Sequence, residues 1–219
     1  KYNKDSLNEI AIFDPKQINI DYNNINQNYT IKEVHPLVEK CIKNNNLYQE
    51  IDKLIKLHKF PNAIEVCKNY KLHDNLNGYI DSIIGDCFLN LKEYSLAIEY
   101  YESSLRQSPH DFEVLSQIGL CYLFLGEINI GENKVHFAFK KNNKNAVCWK
   151  NMGVLHICKD RLKDALKCFE HSKELKRDVL MIDFYLAYVH IKLENKEKFN
   201  LYKLKFEKKN EVNYSIFDF

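Results

Sequence analysis

The sequence predicts an all-α protein, a solenoid of about five stacked helix pairs, and three observations carry that expectation. Gly85, Gly119 and Gly153 are evenly spaced, and the interval, about 34 residues, has room for two helices and their turns. Between them, apolar residues recur every three or four positions, the period of a helix with one buried face. The chain of 219 residues holds only 6 Gly and 4 Pro, too few for the many tight turns of an all-β fold.

The frame continues in both directions. Twelve residues after each glycine comes a small residue, Ala97, Gly131 or Ala165. A larger apolar residue follows (Tyr101, Val135, Phe169), and then another small one (Ser104, Ala138, Ser172). Ala63 and Ala187 extend the register outward by one period each. Five blocks result, 44–77, 78–111, 112–145, 146–179 and 180–213, each read as two helices. In the second block the helices are expected over Tyr79–Leu91 and Tyr94–Gln107, with Pro109 as the stop. The third carries the stripe Val114, Ile118, Cys121, Tyr122 and Leu125. The fourth carries Trp149, Met152, Leu155 and His156, answered by Leu162, Ala165, Leu166 and Phe169. The fifth has Phe199 in the slot of Ala165 and reads as a degenerate end cap. Residues 31–43 read as a leading helix interrupted by Pro36, residues 1–30 as an Asn-rich arm, extended or partly disordered, and residues 214–219 as an apolar tail.

Small residues recur for a packing reason. Two antiparallel helices approach closely only where neither carries a bulky side chain, so Gly153 is expected to meet Ala165, with Trp149 and Phe169 filling the space on either side. Glycine inside a helix costs about 1 kcal/mol relative to alanine; three at one period imply compensation by packing.

The order Gly85, Phe88, Ala97, Tyr101, Ser104, Pro109, with the set Trp149, Gly153, Ala165, Phe169, resembles the tetratricopeptide repeat over roughly residues 44–195. That resemblance implies a right-handed superhelix whose first helices line a concave groove. It also implies a scaffold or adaptor that recognises another protein. Groove-facing positions are then Tyr79, Ser82, Asp86 and Leu89 in the second block, and Glu113, Ser116, Leu120 and Leu123 in the third. The fourth gives Val147, Lys150, Val154 and Ile157, and the fifth Met181, Phe184, Tyr188 and Ile191. The partner-binding groove is expected at Leu120, Leu123, Lys150, Val154, Ile157, Phe184 and Tyr188, an exposed apolar surface holding a peptide or helix. Some members of the family bind acidic chaperone tails through a clamp of Lys, Arg and Asn. Here the matching slots hold Ser82, Asp86, Gln117, Leu120 and Val154, with Lys150 as the one basic residue, so a chaperone tail is not expected. The occupant could be in cis: the arm carries Ile10, Ala11, Ile12, Phe13, Ile18 and Ile20, and the tail Tyr214, Ile216, Phe217 and Phe219.

Composition narrows the rest. A net charge of +2 gives no global pull toward nucleic acid or anionic membrane. No membrane span is expected, since the longest uncharged run, Val114–Gly126, has 13 residues against the roughly 18 a spanning helix needs. The start at Lys1, without an apolar signal core, reads as a fragment of a longer chain. Seven cysteines, an odd number without any CxxC, suit free thiols in the cytoplasm or nucleus of a eukaryotic cell.

No catalytic constellation, metal site or cofactor motif is expected. His156, Cys158, Cys168 and His171 are zinc-binding types, but residues two apart on a helix face different ways. Cys87 and Cys121 share one slot and read as small hydrophobes. Asp160 with Asp164, and Glu99 with Glu102, read as solvated surface. The lysine-rich stretch 196–209 reads as the polar outer face of a terminal helix, the competing readings being a membrane surface or RNA. Two further readings of the whole chain stand beside the scaffold: an architectural subunit of a large complex, and the helper region of a larger enzyme.

Overall fold

The computed structural model describes residues 47–71, 78–176 and 179–210. The arm, the leading helix with Cys41, and the tail lie outside the described residues. Ten helices and no strand occur among them. They are α1 (Leu47–Lys56), α2 (Phe60–Lys71), α3 (Gly78–Asn90), α4 (Tyr94–Gln107), α5 (Phe112–Phe124), α6 (Ile128–Lys141), α7 (Ala146–Cys158), α8 (Leu162–Leu175), α9 (Ile182–Lys192) and α10 (Lys196–Asn210). Each odd-numbered helix packs against the next even-numbered one. The described residues fall into two compact units, one ending at His110 and one beginning at Asp111.

One turn closes all five pairs. His58, Lys92, Gly126, Asp160 and Glu194, each one repeat period from the next, have φ between +54° and +84°. The next residue's N–H reaches back five positions to a carbonyl of the first helix: Lys59 to Leu54, Glu93 to Phe88, Glu127 to Tyr122, Arg161 to His156 and Asn195 to His190, at 2.8–3.0 Å. The left-handed residue itself donates to the carbonyl three back, as in His58 to Ile55 and Gly126 to Leu123. This is the Schellman arrangement, which satisfies carbonyls a helix end leaves orphaned.

In α3, α5 and α7 the glycine of the first helix sits where its partner helix comes close. A Cβ on Gly85 would lie 2.6 Å from the ring of Tyr101, and one on Gly119 2.7 Å from Val135. At Gly153 the nearest atoms belong to the ring of Phe169, not to Ala165. In that pair the expected small-on-small contact is a ring seated on a bare backbone, and Ala165 is fully buried nearby. Gly119, by contrast, does meet Gly131, whose carbonyl would lie 3.0 Å from a Cβ there.

Successive repeats within a unit are joined at one slot. In the unit ending at His110, Lys71 at the end of α2 pairs with Asp81 of α3 at 2.5 Å, and Ser103 of α4 donates to the same carboxylate. Asp81 is fully buried. In the other unit, Lys173 of α8 pairs with Asp183 of α9, and at the equivalent α6–α7 junction the Phe139 and Trp149 rings meet edge-on, 4.6 Å between centroids. The first helices α5 and α7 are capped by Asp111 and Asn145, whose side chains accept from backbone N–H groups of the first turn. Ser172 of α8 donates to the Ala146 carbonyl, tying the second helix to the start of the first.

Candidate interaction surface

The seven expected groove residues lie on α5 (Leu120, Leu123), α7 (Lys150, Val154, Ile157) and α9 (Phe184, Tyr188). None is more than 5% exposed. The expectation of an open apolar groove is corrected here: these side chains are out of water in this structure. The reason is clearest in α9, where every residue from Ile182 to His190 is buried. A helix that is apolar all round is enclosed on all sides. Phe184 packs on Phe206 of α10, with 5.8 Å between ring centroids, and edge-on to Tyr185. Lys192 lies over the ring of Tyr188.

The same face carries a polar link that reading the sequence missed. Asn151 of α7 donates through Nδ2 to Ser116 Oγ and Gln117 Oε1 of α5, both at 3.0 Å. Asn151 and Ser116 are fully buried, Gln117 nearly so, and the Asn151 Oδ1 accepts no hydrogen bond. Lys150 is the neighbour of Asn151 in the chain. A buried polar cluster between adjacent helices fixes their register, provided its groups are satisfied. The spacing was the available signal: Gln117 and Asn151 stand 34 residues apart, in equivalent slots.

In the unit ending at His110 the first-helix face is accessible. Tyr79 is 64% exposed and Tyr48 46%, with 5.6 Å between their ring centroids. Ser82, Asp86 and Leu89 are half-buried, and Asp86 accepts from the Tyr101 hydroxyl at 2.6 Å. Tyr48 was missed because the first block departs from the frame, with Ile51 in place of the glycine.

The reactive types do not converge. Among the described residues no group of three His, Cys, Asp or Glu is arranged to hold a metal ion. His171 stacks edge-on against Trp149 and pairs with Glu174. Cys67, Cys87, Cys121, Cys148, Cys158 and Cys168 are free and buried. Burial pushes Cys67 and Cys158 up to about 12, Cys148 and Cys168 up to about 11, and Cys87 higher still. Thiols so raised carry almost no thiolate at neutral pH, and the thiolate is the nucleophile.

The outer face of α10 departs from expectation. In the four preceding second helices the two outward slots hold Glu65 and Lys68, Glu99 and Glu102, Asn133 and His136, then Lys167 and Glu170. In α10 they hold Leu201 and Leu204, 47% and 49% exposed. The expected polar outer face is thus a lysine-rimmed pair of leucines.

Residues 83–111, the second half of α3 and all of α4, match the tetratricopeptide repeat family. The chain is 24% identical over 84 residues to the mouse BBSome complex member BBS4, which covers 38% of this chain and 16% of that protein. It is 29% identical over 91 residues to mouse tetratricopeptide repeat protein 21A, covering 39% and 7% respectively. Among solved structures it is similar to a thermophilic TPR protein of Thermus thermophilus, with a TM-score of 0.57, 19% identity, and coverage of 71% of this chain and 88% of that one. Residues 83–111 thus read as a tetratricopeptide repeat, and the helix pairs have the fold of a tetratricopeptide-repeat solenoid. The chain spans a small fraction of both curated relatives. No helix among the described residues is long and apolar enough to cross a membrane.

Proposed function

We propose that the chain is a non-enzymatic scaffold that holds a peptide or helical segment against the first helices of its last three repeats, with Leu120, Leu123, Lys150, Val154, Ile157, Phe184 and Tyr188 as the binding residues. The observation that supports this best is the recurrence of these buried positions at the repeat period on α5, α7 and α9, with Leu123 also seated against Gly131 of α6 and Phe184 against Phe206 of α10. A segment carrying apolar anchors matches the six apolar positions of the seven. Because the face is closed, its occupant interdigitates with these side chains instead of resting on them. The family resemblance supports protein recognition as the general role.

The test is a native pull-down with mass spectrometry on the full chain and on Lys150→Met. That substitution keeps most of the side-chain stem and removes the charge. Recovery of the bound protein should fall about 10-fold or more if the segment engages this face, with both melting temperatures read alongside to separate lost binding from lost fold. Equal recovery from both would remove this face from the site. Phe184→Ala is a poor substitute, since Phe184 also holds α10 through Phe206. A cis occupant is tested by deleting residues 1–30: hydrogen exchange in α7 and α9 should rise if the arm covers them.

A second reading, an architectural subunit of a large complex, is favoured by one observation. The mouse relative is a BBSome complex member, and this chain corresponds to 16% of it. Crosslinks concentrated on α10 instead of α5, α7 and α9 would favour that reading.

A further inference from the structure

We propose that the outward face of α10 docks an acidic amphipathic helix from a partner protein. The face is a ridge of two leucines, Leu201 and Leu204, on the side of the helix turned away from α9. Each is about half exposed, in slots that are polar or charged in all four other second helices. Lys198, Lys205 and Lys208 are exposed around the ridge, against Glu197 alone on that side. An apolar pair at helical spacing inside a basic rim is complementary to a helix bearing an apolar stripe flanked by Asp and Glu.

Two other occupants fit less well. A second copy of the chain would bring the same lysines face to face, and like charges repel. A lipid surface rewards a wide apolar face, and α10 has turned its aromatic residues inward. Phe206 is buried against Phe184, and Tyr202 stacks on His190 with 5.5 Å between centroids and rings nearly parallel. What remains outward is narrow, suited to insertion between the side chains of another helix. This surface is separate from the first-helix face, and its test does not depend on that reading.

The test uses a displayed library of random helix-length peptides, sorted for binding to the full chain. Two variants serve as counter-selections: Leu201→Ser with Leu204→Ser, and Lys198→Glu with Lys208→Glu. Selected peptides should carry net negative charge around Leu, Ile or Phe at three- or four-residue spacing. Each variant should bind them about 10-fold more weakly, and binding should weaken as salt is raised. All four positions are exposed, so both variants should melt with the unmodified chain. If the serine variant melts early, the lysine variant alone decides. The proposal is overturned if no peptides are enriched, if enriched peptides lack acidic residues, or if both variants bind them as the unmodified chain does. Retention of the chain by phosphatidylserine vesicles, abolished by the same substitutions, would assign the face to lipid instead. Self-association abolished by them would assign it to a second copy.

Discussion

A Cβ at Gly153 would come within 3.0 Å of the Phe169 ring, and one at Gly126 would meet nothing within 4 Å. The two glycines therefore serve different ends. Gly153→Ala should lower stability by about 2 kcal/mol, because a packed ring must move. Gly126→Ala should lower it by about 1 kcal/mol through backbone strain alone, since Gly126 sits at φ +84°. Urea unfolding of both, with Gly126→Asn as a third variant, separates the causes: Asn tolerates the left-handed region and should recover most of the loss. The close-packing glycines were legible because nothing else in the sequence repeats so cleanly. The left-handed turn slot was not, because only Gly126 signals a positive φ strongly; Asp160 and His58 do so weakly, and Lys92 and Glu194 do not. The same limit applied to Gly153: spacing showed that the helices meet there, and only the geometry showed that Phe169 is what they meet through.

At the scale of helices, equivalent slots carry different chemistry in different repeats. The junction slot is ionic as Lys71–Asp81 and as Lys173–Asp183, and aromatic as Phe139–Trp149. Asp81 is fully buried, so Lys71→Met alone should destabilise the unit ending at His110 by about 2 kcal/mol, leaving a carboxylate uncompensated except by Ser103. Lys71→Leu with Asp81→Leu should cost far less, since replacing a whole buried pair by apolar residues is often neutral. A double-mutant cycle by thermal unfolding checks this. A second slot holds His156 and His190, one repeat period apart. Both are held below the ordinary value of 6.5, first by burial, with Arg161 adding to it at His156 and Lys198 at His190, against Asp164 and Glu170 respectively. Neither ring nitrogen of His190 makes a hydrogen bond. A depressed folded value means the unfolded chain takes up protons first. The stabilisation is complete above about pH 6.5 and is lost as pH falls toward the folded values. The melting temperature should therefore drop between about pH 7.5 and pH 5.5, and His190→Phe, which keeps a ring against Tyr202, should flatten that slope. An unchanged slope would place the acid sensitivity elsewhere.

For the molecule as a whole, the repeat made architecture readable and left exposure unreadable. A fixed period assigns each side chain to a face, and α5, α7 and α9 do carry Leu120, Val154 and Tyr188 on corresponding positions. What covers a face depends on everything packed around it, so the residues that looked like an open groove are buried, while Tyr48, Tyr79, Leu201 and Leu204 remain exposed. The cysteines turn this into a test of the fold in both units. Cys67 and Cys87 lie in the unit ending at His110, and Cys121, Cys148, Cys158 and Cys168 in the other, all buried and free. These six thiols should be silent toward an aromatic disulfide reagent at neutral pH and react together once urea unfolds the chain, because reaction needs both access and thiolate. Peptide mapping of the labelled positions reads each unit separately. Rapid labelling of any one of the six in the native chain would show that the helix carrying it opens to solvent, and would overturn the close packing described for its unit.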